Sequence, residues 1–181
     1  MLPAKTNTIQ IVNTTLNDLD TILWLFGKAL ELQGKNGYIV WTGIDKTALQ
    51  KEIEEGLQYK IVEGDDVLCI FSIQHNDPII WRHRDTGDAI YLHRIVVNPN
   101  FKGQKQFQKV LDWAKQFVQD KGLQFVRMDT WADNQKIIDY YKSFGFELIE
   151  YYKTPDASGL PVQNRNLDVA LLEMEVKDKL S

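Results

Sequence analysis

Apolar positions along this chain switch between strict alternation and helical spacing, and the switches mark its elements. Thr8 to Val12 (TIQIV) alternate and are β-branched, which predicts a first strand. Leu19, Ile22, Leu23, Phe26 and Leu30 then recur at helical spacing, with Thr15 or Asn17 as N-cap and an end near Gly34. Gly34 to Gly43 (GKNGYIVWTG) breaks the period with three glycines and reads as a loop anchored by Tyr38 and Trp41. A second helix starts at Asp45. It carries Leu49, Ile53 and Leu57 on one face and leaves Glu52, Glu54 and Glu55 exposed. Ile44 and Leu49 make a hydrophobic staple across its start. Tyr59 to Glu63 and Val67 to Gln74 form a hairpin about the turn Gly64-Asp65-Asp66.

Asn76 to Asp88 (NDPIIWRHRDTGD) lacks a clear period. Pro78 to Trp81 can extend the sheet, and Asp85 to Asp88 forms a turn. Arg82, His83 and Arg84 are either a solvated tip or an anion site. Ala89 to Val97 is apolar enough for a central strand, and Pro99 ends it. From Lys105 a helix runs with Phe107, Val110, Leu111, Ala114, Phe117 and Val118 on one face, and Gly122 stops it. Phe125 to Trp131 is a short strand. Asp133 or Asn134 caps the next helix, whose buried stripe is Ile137, Ile138 and Tyr141. Gly145 ends that helix in a left-handed conformation, with Phe146 folding back. Two strands follow, Glu147 to Lys153 and Asn166 to Val176, separated by the loop from Thr154 to Arg165. The order β-α-α-β-β-β-α-β-α-β-β predicts one mixed α/β (α+β) domain over residues 1–181.

Composition narrows the function. The 181 residues are 44% hydrophobic and 25% charged, as in an ordinary water-soluble domain. A net charge of −4 speaks against a general nucleic-acid binder, which needs a basic face. The one cysteine, Cys69, excludes a disulfide framework, and His75, His83 and His93 lack metal-ligand spacing. There is no apolar leader, and no run approaches the roughly 18 apolar residues of a membrane span. These features point to a cytoplasmic enzyme or binding domain without a metal. The chemistry concentrates where the strand ending at Val97 feeds a helix through Lys102-Gly103-Gln104-Lys105. A helix start offers unpaired N–H groups and positive potential, which suit an anion. No Gly-x-x-x-x-Gly-Lys-Ser/Thr run is present, which speaks against a phosphotransferase.

This order and two local motifs resemble the GNAT superfamily of acyl-CoA N-acyltransferases over nearly the whole chain. The family's Val-x-Pro turn is matched by Val97-Asn98-Pro99. Its pyrophosphate loop, Arg/Gln-x-x-Gly-x-Gly/Ala, aligns with Lys102-Gly103-Gln104-Lys105-Gln106-Phe107, where Lys105 and Phe107 replace the two defining glycines. Its Asn-x-x-Ala-x-x-x-Tyr-x-x-x-Gly-Phe motif matches from Asn134 through Tyr141 to Gly145-Phe146, with Ile137 in place of alanine. The resemblance implies a mixed central sheet with splayed fourth and fifth strands, helices on both faces, and acetyl-CoA as co-substrate.

The resemblance also implies roles. Backbone groups of Ile95, Val96 and Val97 pair with the pantetheine arm, and one N–H stabilises oxyanion charge. The N–H groups of Gly103, Gln104, Lys105, Gln106 and Phe107 hold the pyrophosphate beside Lys102. Asn134 bonds the pantetheine or caps its helix. Tyr141 protonates the departing thiolate, which a phenol with pKa near 10 can do at neutral pH. A lysine-like acceptor is neutral in only about one molecule in a thousand at pH 7, so a base must assist. His93 is the first choice for that base and Asp129 the second. Strand alternation puts His93 on the face of Ile95 and Val97 unless a bulge intervenes.

Tyr38, Trp41, Trp131 and Glu31 either wall an acceptor pocket or simply pin the core. The partner is then a small-molecule or peptide amine. The alternative is a non-catalytic GNAT-fold CoA-binding or regulatory domain, suggested by the lost glycine pair. The long last strand offers an edge to a second copy, and hence a homodimer.

Overall fold

A computed structural model describes residues 8–35 and 45–177. Its elements are β1 (Ile9–Asn13), α1 (Leu19–Lys35), α2 (Lys46–Glu54), β2 (Gln58–Glu63), β3 (Asp66–Gln74) and α3 (Pro78–Trp81). They continue with β4 (Ala89–Val97), α4 (Gln106–Asp120), β5 (Phe125–Trp131), α5 (Gln135–Lys142), β6 (Glu147–Lys153) and β7 (Asp168–Glu175). The strands make a mixed seven-stranded sheet in the order β1-β2-β3-β4-β5-β7-β6. The chain forms two compact units, residues 1–72 with 94–107, and residues 73–93 with 108–181.

In the first unit β1, β2 and β3 form an antiparallel meander. Asp66 faces Glu63, so the hairpin turn is Gly64-Asp65, and Gly64 takes the left-handed φ of 61° that the turn demands. The core here joins Ile22, Leu25 and Phe26 of α1 to Leu49 and Ile53 of α2, with Ile70 and Val96. Asp45 caps α2 by accepting from the N–H of Ala48 at 3.0 Å. The staple partner Ile44 lies outside the described residues. Helix α2 stops at Glu54, because Gly56 at φ 70° turns the chain, so Leu57 is not helical. Glu52 departs from its expected exposure and is buried at 3%. Its place one residue before Ile53 turns it partly inward, where Arg94 receives its charge.

In the second unit the segment after Asn76 is not a strand. Asp77 accepts from the N–H of Ile80 at 3.4 Å, Pro78 occupies the first helical position, and α3 results. The basic run after it is a short 3-10 turn, with Arg82 donating to Glu150 at 2.7 Å and lying over the Tyr152 ring. Those pairings take the place of a solvated tip. The core gathers Ile80, Trp81, Ala89, Tyr91, Leu160, Val169 and Leu171. The parallel register of β4 with β5 covers Ala89↔Phe125, Ile90↔Val126 and Tyr91↔Arg127, only the first three positions of β4. Splayed strands require such a short register.

Strand β7 lies between β5 and β6 rather than at an edge, so it has no free side for a second copy. Gly122 (φ 66°) ends α4 with the N–H of Leu123 bonded to the carbonyl of Val118 at 2.9 Å. Gly145 (φ 103°) does the same service for α5, and Phe146 packs edge-on against Tyr141 with ring centroids 6.4 Å apart. Among the described residues no helix is long and apolar enough to cross a membrane.

Candidate active site

The second unit concentrates titratable groups around the end of β5 and the start of α3. Asp129 belongs to β5, Asp77 caps α3, His93 belongs to β4 and Tyr141 to α5. His93 Nε2 stands 3.8 Å from Asp77 Oδ2. Burial pushes the Asp77 carboxyl up to about 7, helped by the negative charges of Asp129 and Asp85 and opposed by the N–H of Ile80. Burial likewise lifts Asp129 to about 6, and its Oδ1 is buried with no hydrogen-bond partner among the described residues. The Tyr141 hydroxyl is raised above the ordinary phenol value, first by burial and then by the charges of Tyr140 and Asp129. A raised phenol stays protonated at neutral pH, as a proton donor must be. A carboxyl near neutrality can accept a proton and release it.

A buried cation fixes part of this set. Arg127 on β5, 4% exposed, donates from Nε to Glu173 at 2.8 Å and from Nη1 to the Arg84 carbonyl at 2.7 Å. It also donates to the Tyr91 hydroxyl at 3.1 Å, and Tyr91 in turn donates to Asp85 Oδ1 at 2.6 Å. The other oxygen of Asp85 accepts from the backbone N–H of Asp77 at 3.1 Å. Guanidinium, phenol and carboxylate thus form one chain ending on the backbone of Asp77. The sequence carried a signal for it: Arg127 stands between apolar Val126 and Met128 of a strand, and buried charges are paired. Asp77 also had a signal, since Asp followed by Pro marks a capped helix start.

The first unit holds the loop that precedes α4. Asn98 ties it to β3, donating from Nδ2 to the Val67 carbonyl at 2.8 Å and from its backbone N–H to Leu68 at 2.9 Å. Gln106 Nε2 donates back to the Phe101 carbonyl at 3.4 Å, closing the loop on itself. Lys102, Gly103, Gln104 and Lys105 are exposed, whereas Gln106 and Phe107 are buried. Gly103 has φ 81° and Lys105 has φ 57°. Ordinary helical dihedrals were the expectation for Lys105, and the structure corrects it. The helix starts one residue later, and Lys105 takes the left-handed conformation for which glycine is the usual choice. Phe107 is 5% exposed and belongs to the buried stripe of α4, as its spacing predicted.

A Cβ built on Gly103 meets nothing within 4 Å, so the loop is open on that side. An open loop of this kind before a helix start, flanked by Lys102 and Lys105, fits an anionic group such as a pyrophosphate.

Strand β4 contains a further left-handed residue, Arg94 at φ 48°. Simple alternation from His93 to Ile95 and Val97 therefore does not hold, as expected only for a bulged strand. Asn134 is 8% exposed and caps α5, its Oδ1 accepting from the N–H of Ile137 at 3.1 Å. That cap uses the carbonyl oxygen of the side chain. Trp131 ends β5 and is half-buried. Glu31 is exposed and pairs with Lys28 at 3.1 Å, one turn away on α1. Tyr38 and Trp41 lie outside the described residues. Among the described residues no three His, Cys, Asp or Glu side chains gather as a metal site would require.

Comparison with known proteins bears on the family and the fold. The model of the acetyltransferase (GNAT) family matches residues 37–146. The uncharacterized N-acetyltransferase YesJ of Bacillus subtilis is 25% identical over 150 residues, covering 78% of this chain and 81% of its own. A GNAT-family acetyltransferase from Listeria monocytogenes superposes with a TM-score of 0.73 at 19% identity, covering 92% of this chain and 94% of its own. The yncA protein of Salmonella typhimurium, solved with its cofactor acetyl-CoA, superposes with a TM-score of 0.64 at 16% identity, with 97% and 98% covered.

Proposed function

Because the chain belongs to the GNAT acetyltransferase family, we propose that it moves the acetyl group of acetyl-CoA to a primary amine of a small molecule or peptide by direct attack. The observation that carries this reading is the left-handed backbone at Lys105. The residue type departs from the family's glycine, yet the backbone adopts the conformation for which glycine is favoured. A regulatory domain that had lost the loop would have no need to hold a lysine there. The burial of Phe107 supports the same side, since its ring is committed to the core. The likeness in fold to a protein solved with acetyl-CoA supports the donor.

In this reading, backbone N–H groups of Gly103, Gln104, Lys105, Gln106 and Phe107, with Lys102, hold the pyrophosphate. Backbone groups of Ile95, Val96 and Val97 hold the pantetheine, and one N–H there takes up charge on the thioester oxygen. The amine nitrogen forms a bond to the acetyl carbon while the carbon–sulfur bond breaks. The electron pair leaves on sulfur, and the Tyr141 hydroxyl protonates it. The ammonium proton leaves to His93, whose imidazolium the Asp77 carboxylate then stabilises. A second reading gives that proton to Asp129. It is favoured by the unpartnered buried Oδ1, which an ammonium donor would satisfy.

Titration of acetyl-CoA followed by heat or tryptophan fluorescence tests the donor, and thiol release with a panel of amines tests the transfer. Absence of binding at millimolar acetyl-CoA would overturn the proposal. Tyr141→Phe should lower turnover about 10²-fold or more with acetyl-CoA affinity nearly unchanged, and an unaltered turnover would remove the acid role. His93→Gln and Asp129→Asn compared across pH identify the base, as only the true base variant loses the acidic limb of the profile.

A further inference from the structure

The mid-strand left-handed residue of β4 is not explained by sheet formation. Arg94 has φ 48°, a conformation that a residue with a Cβ adopts only under constraint. The constraint is visible in the first unit. The guanidinium of Arg94 pairs through Nη2 with Oε2 of Glu52 on α2. The Glu52 side chain is 3% exposed, and its second oxygen, Oε1, is buried without a partner among the described residues. A carboxylate so deprived of water holds its cation firmly, because the pairing offsets its desolvation. Helix α2 is itself anchored, with Leu49 and Ile53 in one core cluster with Val96, two residues past Arg94. The helix thus grips β4 twice, by charge at the left-handed residue and by packing just beyond it.

We infer that Glu52 is a positioning residue that holds Arg94 left-handed and so aims the backbone N–H groups of Ile95, Val96 and Val97 toward acetyl-CoA. The inference rests on the reading that those three residues bind the pantetheine. Reversing φ at one strand residue rotates every following peptide plane, so releasing Arg94 redirects all three groups together. Charge, rather than mere contact, does the holding. Glutamine at position 52 keeps the shape and an acceptor oxygen but loses the charge assistance. Glycine at position 94 needs no hold, because it populates positive φ without a Cβ penalty.

The test compares the full chain with Glu52→Gln, Arg94→Ala, Arg94→Gly and the double variant Glu52→Gln/Arg94→Gly. Two readouts are taken: acetyl-CoA affinity by calorimetry, and amide hydrogen exchange at positions 95–97 without ligand. Glu52→Gln and Arg94→Ala should weaken affinity about tenfold and speed exchange at those amides. Arg94→Gly and the double variant should stay within about threefold of the parent in both readouts. A purely structural ion pair predicts the opposite for the double variant, which would remain as weak as Glu52→Gln. That result overturns the inference, as does unchanged exchange in both Glu52→Gln and Arg94→Ala. Altered exchange rescued by Arg94→Gly, with no acetyl-CoA binding by the parent, upholds the clamp and sinks the pantetheine reading alone. Should Glu52→Gln fail to fold, Arg94→Ala against Arg94→Gly decides the same question.

Discussion

Asp77→Asn should remove a pH-dependent loss of stability that the parent carries. The folded carboxyl titrates at about 7 against an ordinary 3.8, because burial and the charges of Asp129 and Asp85 disfavour its ionised form. As pH rises past 3.8 the unfolded chain gives up this proton, whereas the folded chain keeps it until about 7. Stability therefore falls across that window and levels off above it. At about 1.36 kcal/mol per pH unit the whole window is worth about 4 kcal/mol, and the part between pH 5 and pH 7 about 3 kcal/mol. For a chain of this size that is about 6–12 °C in Tm.

Asparagine preserves the cap, since its carbonyl oxygen accepts from the Ile80 N–H as the carboxylate does. Asp129, also raised, loses stability in the same direction in both proteins, and removal of the neighbouring Asp77 charge reduces its loss as well. Calorimetric scans at pH 5, 6, 7 and 8 should show a steeper fall for the parent than for Asp77→Asn, the two curves separating by about 3 kcal/mol. Parallel curves, or a variant destabilised equally at every pH, would refute the assignment of the penalty to Asp77.

Two further outcomes concern the loop before α4. Lys105→Gly should raise stability by about 0.5–1 kcal/mol, because glycine removes the cost of φ 57°. The urea midpoint checks it, and a clear decrease would mean the lysine side chain stabilises the loop by more than its backbone costs. Phe107→Ala should lower stability by about 3–5 kcal/mol, as for a ring inside a packed core. A change below 1 kcal/mol in denaturant unfolding would show instead that the ring belongs to the ligand loop.

Much of the fold is readable from neighbouring residues because helices and strands are local periods. The stripe from Phe107 to Val118 and the stop at Gly122 appear in the structure where spacing put them. The match weakens where one residue can serve two partners. Pro78 to Trp81 is apolar enough for a strand, and the Asp77 cap decides for a helix. The strand Asp168–Glu175 reads as a terminal edge by chain order, yet it inserts between β5 and β6. Chain order carries no information on spatial order once a strand crosses over.

The loop at which strand feeds helix reads as an anion cradle from Lys102, Gly103 and Lys105, and the family resemblance points to Tyr141 as proton donor; both roles are proposals. What their surroundings do to them was not. Burial lifts Asp77 and Asp129 toward neutrality, and that burial comes from residues distant in sequence. Left-handed backbone at Arg94 and Lys105 runs against the preference of each residue, so propensity could not have indicated it. Periodicity is a property of a few consecutive residues and survives in any context. Desolvation and backbone strain depend on groups brought together from distant parts of the chain, such as Glu52 and Arg94, and only tertiary structure decides them.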